Sequence, residues 1–345
     1  MTLPTLAMVS TDIRRDLVAP LRHVTRLRLL HFYRRAPYGD LAPEELDESL
    51  IAYGDPLDLF RRLGRARPAI VQGVEPFAIR LLPYLYAVFA VALWQHIPLV
   101  LVALENRPLS EKHGPILSRL LRLVLRPVFS RAHLIIYLNE GARRNVLSVG
   151  RYEAKLRRLA YGAWGVDLAE FTPQRDGREP AFGPGPVILF VGRLHQEKGI
   201  FDLLDAFGYV RAAHPSATLI LAGDGPARPE MEHVIARSGW AGTVRLLGMV
   251  KNRDLPPIFR AADIFVAPSV TTRKWEEQVG MTNIQAMACG VPVVSTRSGA
   301  IPEYVPDGVA GILVPERDPA ALADAINRLL ADEHLRQLMG EGGRA

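Results

Sequence analysis

Along the chain, short runs of consecutive apolar residues alternate with longer stretches in which apolar residues return every three or four positions. In the first half, the runs at 6–10, 26–32, 69–73, 99–103 and 133–138 predict buried strands, and 56–63, 77–94 and 115–129 carry helical spacing. The second half repeats the pattern. Residues 187–191, 217–222, 244–247, 263–267, 291–295 and 311–314 predict strands, and 199–213 and 318–330 predict helices, the latter with Asp318 as its N-cap. Strands alternating with helices predict βαβ units and parallel sheets. Between 165 and 186 the periodicity lapses and four Gly and four Pro crowd together, which marks a join. The expectation is an α/β chain of two Rossmann-like domains, 1–165 and 166–345, with parallel sheets facing across a cleft where ligands bind.

A length of 345 residues agrees with two domains, and 49% hydrophobic with 23% charged residues excludes a disordered, collagen-like or coiled-coil chain. The single cysteine, Cys289, excludes a disulfide framework and points to a reducing, cytoplasmic compartment. No N-terminal segment combines a basic start, an apolar run and a small-residue cleavage site, so no secretory leader is expected. Charge changes the picture more. Residues 1–165 hold 24 Lys and Arg against 14 Asp and Glu, a net of +10, whereas 166–345 hold 18 against 22, a net of −4. A basic half suggests an anionic partner, such as lipid headgroups or a phosphorylated substrate; a basic surface kept for solubility is the plainer reading. Nucleic acid is set aside, because the basic half lacks aromatic interleaving and any reading motif.

The apolar stretch 77–103 is interrupted by Arg80, Pro83, Gln95, His96 and Pro98, so it predicts a buried helix followed by a buried strand rather than a membrane span. In 116–129, Arg119, Arg122 and Arg126 fall on one helical face, and Leu117, Leu120, Leu121, Val124, Leu125 and Val128 supply the rest. Such a helix suits an anionic membrane surface, and it suits equally a domain helix with a solvated arginine face.

Zinc-protease, nucleophile-elbow and P-loop motifs are absent, and the nine histidines do not pair at ligand spacings, so no metal site is expected. Three features stand out instead. Gly192-Arg193-Leu194-His195-Gln196-Glu197-Lys198-Gly199 follows a strand and opens a helix, which places two cations where they could clamp a diphosphate. Glu276-Glu277-Gln278-Val279-Gly280-Met281-Thr282-Asn283 leads through a glycine into a helix N-terminus suited to phosphate, with Glu277 able to accept from hydroxyls. Gly248-Met249-Val250 ends another strand and could frame a flat base.

Together the segments VGRLHQEKGIFDLLDAF, LILAGDGP, VRLLGMV, DIFVAPS and EEQVGMTNIQAMACGVPVVSTRSGAIPEYV resemble the nucleotide-sugar domain of family-4 glycosyltransferases, retaining enzymes of the GT-B fold. The likeness is nearly continuous over 186–330. LENR, AHLIIYLNEGARRNV and GVDLAEFTP are similar to the acceptor domain of one branch. The resemblance implies a metal-independent enzyme that moves a sugar from a nucleotide-diphosphate donor to a glycan or lipid-linked acceptor, with no cofactor. It implies that Arg193 and Lys198 bind the donor diphosphate, that Glu277 contacts the donor sugar, and that Gly280 and Met281 offer backbone N–H groups to phosphate. Gly192, Gly223, Met249 and Val250 complete the expected donor site. Gln285 stands where the family's second Glu would hold the ribose; it is neutral but keeps a carbonyl acceptor. His113 follows a strand of the first half and could hydrogen-bond a substrate hydroxyl, or be a surface histidine in a polar loop. The segment TLAMVSTDIRRDL lacks the family's usual glycine loop, and the family's usual crossing helix past a point like Gly340 is not in the sequence. Those departures keep a second reading open, a non-catalytic member that binds nucleotide sugar and serves as a partner or regulator.

Overall fold

The computed structural model describes residues 3–18, 21, 23–36, 41, 48–159, 165–173 and 182–345. The chain divides into two compact units, Met1–Gly165 and Val166–Ala345. Part of the join expected at 165–186, residues 174–181, lies outside the described residues.

The first unit runs β1 (Thr5–Val9), α1 (Arg15–Val18), β2 (Arg28–Tyr33), β3 (Leu50–Ala52), α2 (Pro56–Ala66), β4 (Ile70–Gln72), α3 (Leu82–Trp94), β5 (Leu99–Ala103), α4 (Leu109–His113), α5 (Pro115–Arg131), β6 (Leu134–Tyr137), α6 (Glu140–Val149) and β7 (Leu156–Arg158). Its seven strands form one parallel sheet in the order β3-β2-β1-β4-β5-β6-β7. Met8 of β1 lies between His31 of β2 and Gln72 of β4 in the register. The second unit runs β8 (Val187–Val191), α7 (Ile200–Ala213), β9 (Thr218–Ala222), α8 (Arg228–Arg237), β10 (Val244–Gly248), α9 (Leu255–Arg260), β11 (Ile264–Ala267), α10 (Met281–Ala288), β12 (Val293–Thr296), α11 (Ile301–Tyr304), β13 (Gly311–Val314), α12 (Pro319–Ala331) and α13 (Glu333–Arg344). Its six parallel strands are ordered β10-β9-β8-β11-β12-β13.

All residues of β8, β9, β11 and β12 are buried, which is why these strands read as unbroken apolar runs rather than as an alternation. Phe190, Phe207, Ile326 and Leu329 are among the fully buried residues of the second core, where α7 and α12 pack on the sheet. Phe77, Leu85, Leu99 and Phe129 do the same in the first. Each such side chain adds about 1.5–3 kcal/mol over its exposed state.

The helix expected at 77–94 begins later, at Leu82, after a 3-10 turn over Ile79–Leu81. Pro83 lies in the first turn of α3, where its missing N–H has no partner to lose. Asp318 caps α12, its carboxylate accepting from the Ala321 N–H at 2.9 Å. The expected apolar face of α5 is divided. Leu121, Leu125 and Val128 are buried, but Leu117, Leu120 and Val124 are exposed together with Ile116 and Leu123.

Each sheet reverses its order at one central strand. In the first unit β1 lies between β2 and β4; in the second β8 lies between β9 and β11. Loops leaving neighbouring strands there part in opposite directions and leave a crevice at the carboxyl ends. In the second unit Gly199 makes this close approach workable. It adopts φ 65°, ψ 25°, and a Cβ there would overlap the carbonyl oxygen of Pro268, the first residue after β11. Gly199→Ala is expected to destabilise the second unit by about 3 kcal/mol, because the left-handed backbone and the overlap act together. Urea unfolding of the variant checks this; an unchanged midpoint would show that the β8 and β11 loops are not locked together.

Candidate functional site

In the second unit, the loop after β8 and the loop after β11 bring together two residues 79 positions apart. Lys198 Nζ donates to Glu277 Oε2 at 2.6 Å. Both side chains are largely buried, at 18% and 14% exposure. Ser269 Oγ donates to the same oxygen at 3.0 Å, and Lys198 Nζ lies 4.6 Å from the centre of the Trp275 ring, a cation–π contact. Burial pushes the Glu277 carboxyl up, but the Lys198 charge and hydrogen bond, with those of Ser269 and the Gly280 backbone, outweigh it and hold the group below its usual range.

The loop carrying Trp275 and Glu277 is itself tied down. Glu316 accepts from the Thr271 N–H and hydroxyl, both at 2.6 Å, and Thr271 Oγ1 lies 3.0 Å from Ser298 Oγ. Gly280, at φ 70°, N-caps α10, and Met281 is its first residue. Gln285 lies buried in the same helix.

The other residues named from sequence fall nearby along the chain or elsewhere. Arg193 is exposed and pairs with Glu197 at 3.2 Å, so it does not join the Lys198–Glu277 pair directly. Gly192 and Gly223 are in backbone contact, and Gly223 donates to the Gly248 carbonyl at 2.7 Å, which gathers the carboxyl ends of β8, β9 and β10. Met249, 60% exposed, and Val250 follow β10 directly. His113 belongs to the first unit, as the last residue of α4 rather than part of a loop. Burial and the neighbouring Lys112 hold its imidazole below the usual range. Cys289 is buried, its thiol pushed up to about 12, so it is not a nucleophile. Ser269, Trp275, Thr271 and Glu316 carry no motif role in the sequence alone. Pro268-Ser269, at the end of an expected strand, was the one available signal.

The first unit holds a cavity of about 260 Å³ at its own order reversal, walled by residues at the ends of β1, β2, β4 and β5. Apolar surface forms most of the wall, and Ser10, Thr11, Asp12, Arg14, His31, Gln72 and Glu75 supply the polar groups. His31 is 2% exposed; its Nε2 lies 2.8 Å from Ser10 Oγ, and its Nδ1, also buried, has no hydrogen-bond partner among the described residues. Glu75 accepts from the N–H groups of Leu104 at 2.6 Å and Phe77 at 3.1 Å. Among the described residues, no group of three His, Cys, Asp or Glu converges as a metal cage would, and no helix is long and apolar enough to cross a membrane.

Two Rossmann-like units, each with a parallel sheet, define the GT-B architecture. The likeness to solved structures agrees. Anabaena HepE in complex with UDP and glucose superimposes with a TM-score of 0.74 at 20% identity, covering 99% of this chain and 94% of that one. Sucrose-phosphate synthase from Thermosynechococcus elongatus does so with 0.72 at 20%, covering 99% and 93%. The family model described as glycosyl transferases group 1 matches residues 185–332. D-inositol 3-phosphate glycosyltransferase of Corynebacterium urealyticum is 31% identical over 326 residues, 88% of this chain and 73% of the relative. The GDP-mannose-dependent alpha-(1-6)-phosphatidylinositol monomannoside mannosyltransferase of Mycolicibacterium smegmatis is 31% identical over 230 residues, 65% of this chain and 59% of that protein. The chain belongs to the group 1 glycosyltransferases. It is a glycosyltransferase, and the non-catalytic alternative gives way to that membership.

The cavity of the first unit has a measurable electrostatic signature. Burial lowers the His31 imidazole from 6.5 to about 4. The folded state therefore binds fewer protons than the unfolded state between those values, and stability falls as pH drops through that window. Glu75 acts in a different window with the opposite sign. Burial pushes its carboxyl up to about 8 against the Leu104 and Phe77 N–H bonds, so its contribution is fully present below about 4.5 and is lost as pH rises through 8. His31→Leu removes only the first effect. The stability of the wild type relative to this variant is expected to drop by about 3 kcal/mol between pH 6.5 and 4 and to stay level above. Denaturant titrations at a series of pH values read this out, and a difference independent of pH would refute a neutral buried His31.

Proposed function

We propose that the chain transfers a sugar, with retention of configuration and without a metal ion, from a nucleotide-diphosphate donor held by the second unit to an acceptor held by the first. The observation that carries this reading is the Lys198–Glu277 pair beside the N-terminus of α10. A diphosphate competes with Glu277 for Lys198, and Arg193 adds a second, exposed cation. The Gly280 and Met281 N–H groups meet the phosphate at the helix end. Glu277, released from Lys198, accepts from hydroxyls of the donor sugar. Gln285 serves the ribose, Gly192 and Gly223 allow close approach, and Met249 and Val250 frame the base. His113 hydrogen-bonds a substrate hydroxyl.

In the transfer, the bond from the anomeric carbon to the diphosphate oxygen breaks and the acceptor oxygen bonds to the same face of that carbon. The acceptor proton passes to the departing diphosphate, so no separate base is required. Arg193 and Lys198 act more strongly as charge develops on the leaving group, which is where binding raises rate. The relatives' names support a nucleotide-sugar donor and an inositol- or lipid-linked acceptor.

For the acceptor's setting, α5 supports docking on the anionic cytoplasmic leaflet. The helix has three sides. Leu121, Leu125 and Val128 face the core, Arg119, Arg122 and Arg126 form a basic edge, and Ile116, Leu117, Leu120, Leu123 and Val124 form an exposed apolar stripe.

Two outcomes are expected. Among UDP, GDP, ADP, CDP and dTDP, one nucleotide at 100 times its dissociation constant raises stability by about 2.7 kcal/mol, a melting shift lost in Arg193→Ala/Lys198→Ala. No shift from any of the five would sink the donor site. Separately, phosphatidylglycerol vesicles should retain the protein at low salt and release it at 1 M, with retention abolished in Leu120→Glu/Leu123→Glu. Failure of the wild type to sediment with the vesicles would remove the membrane reading.

A further inference from the structure

We infer that Trp275 is a positioning residue for diphosphate binding: its indole face holds the Lys198 ammonium in a contact that survives when the diphosphate takes the place of Glu277. The assignment rests on the reading that Lys198 meets the donor diphosphate.

Ring and ammonium are each located by bonds that do not involve Glu277. Lys198 ends a 3-10 turn over Gln196–Lys198, and Gly199 follows it in the left-handed conformation. The Val270 N–H donates to the Glu197 carbonyl at 2.8 Å, which ties this turn to the loop after β11. That loop then makes a tight turn of its own. The Thr272 N–H donates to the Trp275 carbonyl at 2.8 Å, and the Trp275 N–H donates to Thr272 Oγ1 at 3.0 Å. Glu316 holds the neighbouring Thr271 by its N–H and its hydroxyl. The ring centre is thereby fixed 4.6 Å from Lys198 Nζ, whether or not the carboxylate stays paired.

The chemistry of the groups around Nζ decides which of them stays. An ammonium has three N–H donors and no acceptor. Among the described residues, Glu277 is the only hydrogen-bond partner of Lys198, at 2.6 Å. A carboxylate and a diphosphate are both anions that accept from the same donors, so one displaces the other. An indole face attracts the charge without accepting in their place, and leaves the N–H groups to point at the anion. It therefore has no reason to leave when the anion changes. Lys198 is only 18% exposed, so the ring stands where hydration would otherwise be, and a cation–π contact strengthens as its partners lose water. Without the ring, a lysine released by Glu277 would regain the rotamers of its flexible stem, and binding would have to order it again.

The test uses the full chain and NMR titration with UDP, GDP, ADP, CDP and dTDP. The nucleotide that binds the wild type most tightly is compared with its parent nucleoside, which carries no phosphate. Trp275→Leu should weaken the nucleoside diphosphate by about fivefold, the scale of a partly desolvated cation–π contact, and leave the nucleoside unchanged. Trp275→Phe, which keeps a ring face, should recover most of that loss. In a Lys198→Met background, Trp275→Leu should cost nothing further, because the group it positions is gone. The wild type supplies a readout that needs no variant: the Lys198 ε-methylene protons should resonate upfield under the indole ring and stay there when the diphosphate is bound. The assignment is overturned if Trp275→Leu weakens nucleoside and diphosphate alike, if its cost persists without Lys198, if Trp275→Phe recovers nothing, or if the methylene protons return to ordinary positions on binding. A wild type that binds none of the five nucleotides overturns the donor reading and this assignment together. A wild type that binds one of them, with Trp275→Leu binding it equally well, overturns this assignment alone.

Discussion

A parallel sheet that grows outward in both directions from a central strand must send the two loops beside that strand to opposite faces. That constraint is met twice in this chain, at β1 and at β8. Much of the polar chemistry described follows from it. In the second unit the loop after β8 carries Lys198, and the loop after its neighbour β11 carries Ser269, Trp275 and Glu277. In the first, the ends of β1, β2 and β4 carry Ser10, His31 and Glu75 around an open space. The sheets supply rigidity through buried apolar strands. The crevices supply the places where backbone and side chains have no neighbour from the sheet to satisfy them.

The Lys198–Glu277 pair shows what such a position allows. Two charges buried this far lose much of their hydration, and a single pair in that setting is weak evidence of added stability. Yet several structural features hold the pair. Ser269 shares the carboxylate, Trp275 lies against the ammonium, and Glu316 anchors the Thr271 end of the loop. A charge pair held at a crevice in this way offers a ligand both a cation and a carboxylate. In the transfer proposed above, an incoming diphosphate would take the cation and leave a carboxylate to accept hydroxyls. The two halves of a nucleotide sugar thus match the two halves of the pair.

The sequence made much of this legible, for identifiable reasons. Strands such as β8, β9 and β11 are buried on both faces, so composition alone marks them. The edge strands β3 and β7 lie outside the predicted strands; each is three residues long at a sheet edge, and β7 ends on exposed Arg157 and Arg158. α6, α8 and α13 were missed because their polar residues outweigh their apolar ones; α8 buries only Met231 and Ile235. Arg193, Lys198, Glu277 and Gly280 stood out because their segments sit at strand-to-helix junctions. No spacing rule links Lys198 to Glu277 across 79 residues. His31 and Glu75 were invisible for a different reason. A lone histidine in an apolar strand reads as core, and only the bond to Ser10 and the buried Nδ1 with no partner among the described residues distinguish it.

The apolar stripe on α5 carries the same lesson to the surface. Helical spacing places Arg119, Arg122 and Arg126 on one side and apolar residues over the rest, without saying which of those meet the core. The core accepts only about a third of the helix circumference, and Ile116, Leu120 and Leu123 are left 75%, 53% and 54% exposed. Magnitudes then bear on the interfacial role proposed for the helix. Three arginines near an anionic leaflet contribute roughly 1 kcal/mol each, screened beyond about 10 Å at 0.1 M salt. Partial burial of five aliphatic side chains, at about 25 cal/mol per Å², adds a comparable amount that salt does not screen. Neither contribution alone holds a protein on a membrane for long. Together they would give the proposed docking a reversible and composition-sensitive character. The basic excess of the first unit, +10 against −4 in the second, agrees with placing that docking on the first unit.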